Sequence, residues 1–363
     1  MQQMVATALA NWAHALDPTD ADTALADAAL RDTLAVAHAA RDHPLVATAT
    51  VLGEPARQAV AAHVLDYDDL HLASTAHVSA VCVPTAIATD GGARAYLAAA
   101  GVMARLGTAL GWPHYERGWH ATCTAGAPAA AAGAALAQGA GPDGIATAMA
   151  LAVPAAGGVQ RAFGTDAKAL QVGFAVAAGL RAAALAAAGA SADASAVDQW
   201  LAMLGGDAAR LDTGPDAAIP GGLAVKVYPC CYALQRPIAA TRELGGPAPA
   251  GRIHVRTPES SARPLIHARP RTGLEGKFSL EYGIAAALLD GAPGLGSFTD
   301  AAVARPAAQA LIERIDVDLT PGGDGLLAGA FSVGHVTRAE PPDGDEATTL
   351  ALCDAGHLAG THW

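Results

Sequence analysis

The residues best suited to chemistry crowd into one stretch, His63 to His77 (HVLDYDDLHLASTAH). It sets Asp66, Asp68 and Asp69 beside His63, His71 and His77, in a chain otherwise dominated by Ala, Gly, Leu and Val. If the front of it, AHVLDYDDL, is helical, His63, Asp66 and Asp69 recur at three-residue steps on one face. Carboxylates and an imidazole held that way are equipment for proton transfer, because like charge and partial burial move pKa values toward a working pH. The same residues also read as a solvated acidic helix end followed by a polar loop, and spacing alone does not choose between the two.

Cations supply a second signal. The chain has three lysines, Lys168, Lys226 and Lys277, against nineteen arginines. A lysine is a compact point charge whose pKa moves on burial, whereas arginine stays charged. A chain that writes nearly every cation as Arg and keeps Lys in three places has reason to keep it there. Lys168 falls within the first two turns of a predicted helix, where the helix dipole disfavours a cation unless an anion arrives. The plain alternative is a surface lysine that snorkels. Lys226 opens KVYPCCYALQR, with Cys231, Gln235 and Arg236 close behind, and Lys277 lies five residues before Tyr282. His120, at the mouth of the Thr- and Gly-rich bend GWHATCTAG, either reaches a ligand or hydrogen-bonds its own loop.

Elements must hold these groups, and composition says which kind. The chain has 363 residues, 52% apolar but only 4% aromatic. Such a core of small side chains requires close backbone approach, which packed helices provide. The net charge of -12 argues against nucleic acid, whose binding rests on cationic phosphate contacts. An anionic substrate would have to be drawn in by a local basic pocket. Cys82, Cys123, Cys230, Cys231 and Cys353 are an odd number with no C-x-x-C pair, read as reduced thiols of a cytoplasmic protein. The N-terminus lacks a basic n-region and reaches acids early, unlike a signal peptide. Residues 121–160 carry one formal charge, Asp143, yet their Ala, Gly and Thr content with Pro128 and Pro154 is too weakly apolar for a membrane span.

Periodicity then sorts the chain into a mainly α protein. Residues 1–222 read as an all-helical domain, with a helix start after Asp17-Pro18-Thr19-Asp20 and a Gly91-Gly92 turn between two helices. Residues 223–350 read as a smaller α/β domain. Pro229 ends any strand at 224–228, and a helix is expected from Cys230 to Leu244. RIHVRTP, ERIDVDLTP and AGAFSVGHVTRAE alternate as half-exposed strands, and the helix in EGKFSLEYGIAAALLDG carries Tyr282. Residues 351–363 form a C-terminal tail returning toward the helical domain.

Five blocks of this chain together resemble the MmgE/PrpD family, which includes 2-methylcitrate dehydratase, cis-aconitate decarboxylase and iminodisuccinate epimerase. They are HVLDYDDLHLASTAHVS, GWHATCTAG, GTDAKALQVGFAVAAGLRAA, KVYPCCYALQRPIAA and GKFSLEYGIAAALLDG, in family order and spanning most of the chain. The resemblance implies a homodimer, a lid over an interdomain active site, and no metal or organic cofactor. It implies catalytic roles for Asp66, His77, His120 and Tyr282, and substrate contacts from Lys168, Lys226, Cys231, Gln235, Arg236, Gln171 and His71. There are departures. His77-Val78-Ser79 replaces His-Pro-Ser, Leu70 replaces a threonine, and Gln171 and Gln235 stand where relatives often carry histidines. The chain is also short for the family, with deletions before the acidic motif and in the lid.

What the resemblance implies chemically is proton abstraction beside a carboxyl group of a small di- or tricarboxylate, with loss of water first in rank. Epimerisation follows, then decarboxylation. In this reading Lys168 and Lys226 take the substrate carboxylates, His120 is base or acid, and Asp66 tunes an imidazole. Tyr282 closes the pocket. Two other classes stand beside it: a non-catalytic carboxylate-binding dimer, and a metal hydrolase on Asp66, Asp69, His71 and His77, whose spacing matches no metal signature.

Overall fold

Small side chains let helices pack nearly backbone to backbone, and that decides the architecture. The computed structural model describes residues 3–214, 217–246 and 248–363. Eight principal helices form its first part: α1 (Val5–Ala15), α2 (Asp20–Ala39), α3 (Glu54–His63), α4 (Ser79–Ala88), α5 (Gly92–Glu116), α6 (Gly126–Ala137), α7 (Pro142–Ala152) and α8 (Asp166–Ala187). Helix α6 is the axis, with residues 126–136 all buried. Helices α5, α7 and α8 surround it. At Gly179 of α8 a Cβ would meet Ala130 Cβ at 2.5 Å and Ala127 O at 2.7 Å, so any larger residue would push the helices apart. Helix α8 is long and apolar enough to cross a bilayer by length and composition, but half of its most apolar window is buried inside the bundle.

The expected start after Pro18 is a reciprocal cap. Thr19 Oγ1 accepts from Asp22 N at 3.1 Å, and the Asp22 carboxylate accepts from Thr19 N at 3.0 Å. Helix α5 is bent where Gly111 leaves helical geometry (φ 62°), two residues before Pro113.

The remaining chain builds a second core. Helices α9 (Gln235–Glu243), α10 (Leu280–Asp290) and α11 (Pro306–Ile312) accompany a four-stranded mixed sheet of order β2-β1-β3-β4. Strand β1 (Ile253–Pro258) runs parallel to β2 (Ile315–Thr320), from Ile253 opposite Ile315 to Pro258 opposite Thr320. It pairs antiparallel with β3 (Phe331–Val333), which forms a hairpin with β4 (Val336–Arg338). Alternation along β1 sends Ile253 and Val255 inward, against a core that includes Ile238, Ile284, Phe298 and Phe331. The chain then returns to the helical bundle. Helix α12 (Glu346–Leu352) packs on α2, Arg31 bridges Glu346 at 2.5 Å, and Trp363 stacks on Tyr96 with ring centroids 5.6 Å apart.

Two stretches depart from regular helix. The condition that AHVLDYDDL be helical is not met: α3 ends at His63, and Asp66 takes a left-handed conformation (φ 51°). Continuing the helix would stack the acids on one face, whereas the turn sends each to a different tertiary partner. Nor does a helix run from Cys230. A short 3-10 turn, Tyr232–Leu234, leads into α9 at Gln235. That register puts Pro237 in the first helical turn, where its missing N–H costs nothing.

Candidate active site

The turn after α3 places Asp66 and Asp68 at the centre of a buried charged cluster. Lys226 donates to Asp66 Oδ1 at 2.8 Å and to the Asp66 carbonyl at 2.7 Å. Lys168, the third residue of α8, donates to the same Oδ1 at 3.3 Å. Asp66 is thus the anion that permits a cation at this helix start. Lys168 also donates to His63 Nε2 at 2.6 Å, and His63 Nδ1 lies 2.6 Å from Asp68 Oδ2. This makes His63 a neutral imidazole carrying its proton on Nδ1. His77 closes the group, with Nδ1 3.3 Å from Asp68 Oδ2 and Nε2 3.8 Å from Asp66 Oδ1.

Lys277 completes the set. Its ammonium donates to the Leu65 carbonyl at 2.7 Å and the Pro229 carbonyl at 2.6 Å. All three lysines are therefore buried, with relative exposures of 5% (Lys168), 0% (Lys226) and 3% (Lys277), which disposes of the snorkelling alternative. Every exposed side-chain ammonium or guanidinium of this chain is an arginine.

Burial and neighbours set the charges. Burial alone would raise the pKa of Asp66, but Lys168 and Lys226 outweigh it and hold the carboxyl well below its usual range. Asp68 is likewise held low, by His63 and His77 against its burial. Burial pushes His77 down to about 4 and holds His120 well below the usual imidazole range, the latter with help from Lys168, so both are neutral near pH 7. Burial lowers Lys277 to about 8. Lys226 is raised, because Asp66 and Asp68 overcome its burial. Burial pushes the Cys231 thiol up to about 12, so it sits in the site as a neutral group.

Aromatic rings from the two parts of the chain close over the cluster. Phe163 and Phe278 stack with centroids 5.1 Å apart, and Lys168 Nζ lies 5.5 and 5.3 Å from them. Beneath lies a cavity of about 20 Å³, bounded by Thr75, His77, His120, Lys168, Cys231 and Phe278 among others. A second, of about 10 Å³, lies against Asp66, Lys168 and Lys277. These hold about one water each, less than a carboxylate substrate needs. Asp66 Oδ2, Asp68 Oδ1 and His77 Nδ1 are buried and make no well-aligned hydrogen bond, although His77 Nδ1 lies in ion-pair range of Asp68 Oδ2 and Asp68 Oδ1 in ion-pair range of Lys226. Thr75 adds backbone strain at the cavity wall, a β-branched residue at φ 56°.

Of the residues singled out from sequence, Asp66, His77, His120, Lys168, Lys226 and Cys231 come together. Others do not. The Tyr282 hydroxyl donates to the Ser297 carbonyl and its ring packs edge-on against Phe298, inside the second hydrophobic core. His71 is spent on Ser74 Oγ and the Pro220 carbonyl, both at 2.7 Å. The Arg236 guanidinium reaches the Gly329 and Ala339 carbonyls at 2.7 and 2.8 Å and so ties α9 to the chain around the sheet. Gln235 grips the backbone of Val227 and Tyr228, fixing the segment that carries Lys226. Gln171 lies behind His120 and contacts it at 2.8 Å, rather than facing the cavity. His63, Asp68 and Lys277, to which sequence reasoning assigned no catalytic or substrate-binding role, also join the cluster. The first two stood in the acidic motif, and the third was flagged only by the rarity of lysine.

A metal set on Asp66, Asp69, His71 and His77 finds no support, because Asp69 is bonded to Ser79 and His71 to Pro220. Among the described residues, His63, Asp68 and His77 bring ligand atoms within 4.8 Å of one another. Lys168 and Lys226 stand beside that trio with two positive charges, poor company for a metal cation.

Residues 56–204 match the family model described as the MmgE/PrpD N-terminal domain, and residues 228–328 that of the MmgE/PrpD C-terminal domain. No curated protein matches the chain.

Proposed function

The chain belongs to the MmgE/PrpD family, and from that premise we propose that it is a lyase for a small di- or tricarboxylate or a related hydroxy acid. It removes a proton next to a carboxyl group with loss of water, as 2-methylcitrate dehydratase does. One observation carries the reading: Lys168, Lys226 and Lys277 are all buried around Asp66, beside the imidazoles of His77 and His120. Burying ammonium groups is costly unless they are paired. Here Asp66 pairs with two of them, and a substrate carboxylate would take over part of that pairing. His77 and His120 supply the proton transfers. The C–H bond breaks to a base, its electron pair becomes the C=C bond, and the C–O bond breaks as an acid protonates the departing hydroxyl. The reading calls on side chains alone, and it carries the expectation of a cytoplasmic homodimer.

A second reading, epimerisation, is favoured by the pair His77 and His120, whose ring centroids are 6.3 Å apart. Two imidazoles on opposite sides of one carbon would exchange its proton without elimination. Incubation with C4–C7 polycarboxylates in deuterated water, followed by NMR, separates the two. Loss of water to give the unsaturated acid, with a deuteron entering carbon only through the reverse addition, supports the lyase. Exchange without elimination transfers the assignment to the epimerase, and silence across the panel refutes both.

A further inference from the structure

Cys123 and the Gly157-Gly158 turn lie on the far side of His120 from the cavity. His120 Nδ1 points that way, 2.8 Å from Gln171 Nε2 and 3.4 Å from Cys123 Sγ. The Gln171 amide has only one workable orientation. Its Oε1 accepts from Val159 N at 2.9 Å, and a flip would set the NH2 group against that N–H. The NH2 group must therefore face His120. The thiol is a donor as well, since burial pushes its pKa up. Two donors thus converge on one ring nitrogen. The turn is built to this arrangement: Gly158 (φ 122°) accepts from His120 N at 3.0 Å, and a Cβ there would meet Cys123 Cβ at 2.6 Å and Gln171 Oε1 at 3.3 Å.

We propose that Gln171, oriented by the Val159 amide and seconded by Cys123, locks His120 as the neutral tautomer with its proton on Nε2, so that His120 enters the reaction as the proton donor and His77 as the acceptor. Gln171 is a positioning residue: it touches no substrate and acts through His120. An imidazole that already carries a proton on the nitrogen facing the cavity cannot accept another there. Burial keeps the ring from becoming a cation, with Lys168 adding repulsion. An amide also conducts no proton, so a ring that has given its Nε2 proton to the departing hydroxyl is left as an imidazolate, stabilised by the two donors at Nδ1 and reprotonated from solvent once water has left. The donor role rests on the proposed reaction, whereas the tautomer does not.

The test is long-range 1H–15N correlation on the full chain labelled with 15N-histidine, with His120 identified by the signal lost in His120→Gln. The wild type is expected to show an unprotonated Nδ1 and a protonated Nε2, unchanged from pH 6 to 8. Gln171→Glu replaces the donating NH2 with an accepting oxygen of nearly the same shape. It should move the proton to Nδ1 and lower turnover about a hundredfold or more on the carboxylate identified in deuterated water. A wild-type His120 protonated on Nδ1 overturns the lock without any variant being needed. Gln171→Glu with an unchanged spectrum overturns the role of Gln171. An inverted tautomer with undiminished turnover overturns the donor role. If no carboxylate reacts with the wild type, the donor role falls with the lyase reading, and the tautomer is judged by the spectrum alone.

Discussion

Asp66→Asn isolates what the cluster is worth. The substitution keeps shape and backbone, because asparagine tolerates the left-handed conformation that Asp66 adopts at φ 51°. It removes the charge that pairs with Lys226 at 2.8 Å and Lys168 at 3.3 Å, in a residue 2% exposed. Removing one partner of a buried pair costs about 3–5 kcal/mol, because the other charge is left uncompensated. Two cations lose their anion here, while a neighbouring Asp68 oxygen, 4.0 Å from Lys226 Nζ, offsets part of the loss. The expected destabilisation at pH 7 is about 4 kcal/mol, read as a fall in the urea midpoint at constant slope. The pH dependence has a definite sign. The folded pKa of Asp66 lies below its unfolded value, so its contribution is fully present above pH 4 and is lost as pH falls further. The gap between wild type and variant should therefore stay level from pH 8 to 5. In a Lys226→Met background, Asp66→Asn should cost at least about 1 kcal/mol less, since contacting residues are coupled. A variant within about 0.5 kcal/mol of wild type at pH 7 would refute the claim that Asp66 holds the two ammonium groups.

Three further outcomes follow from other positions. Tyr282→Phe should leave kcat within a few-fold of wild type and lower stability by about 1–2 kcal/mol, as a buried carbonyl of Ser297 loses its donor. Asp32 is buried with both oxygens unpartnered, and burial, seconded by Asp69, raises it to about 8. Its folded pKa exceeds its unfolded one, so it erodes stability as pH rises from about 4 to 8, and Asp32→Asn should raise Tm more at pH 8 than at pH 5. Lys277 is lowered to about 8, so between pH 8 and 10 the folded chain binds fewer protons than the unfolded one. The stability of wild type relative to Lys277→Met, measured in urea at pH 7.5 and 9.5, should therefore rise with pH by up to about 1.4 kcal/mol per unit.

Much of this was legible in the residues alone. An alanine- and glycine-rich core demands close-packed helices, and period-two alternation at 253–258 and 315–320 gives strands wherever it occurs. The scarcity of lysine marked Lys168, Lys226 and Lys277 before any position in space was known. Three-dimensional contacts decided the rest. Local helical propensity in AHVLDYDDL gave way to two lysines arriving from more than a hundred residues away, whose pairing with Asp66 outweighs a turn of helix. Which candidates act and which only brace also depended on distant partners: Ser297 for Tyr282, Pro220 for His71, the carbonyls of Gly329 and Ala339 for Arg236. A side chain's type says what it is able to bond. Only the fold says what has already claimed it, because hydrogen-bond and charge partners in a buried site come from segments whose separation along the chain carries no information about their distance.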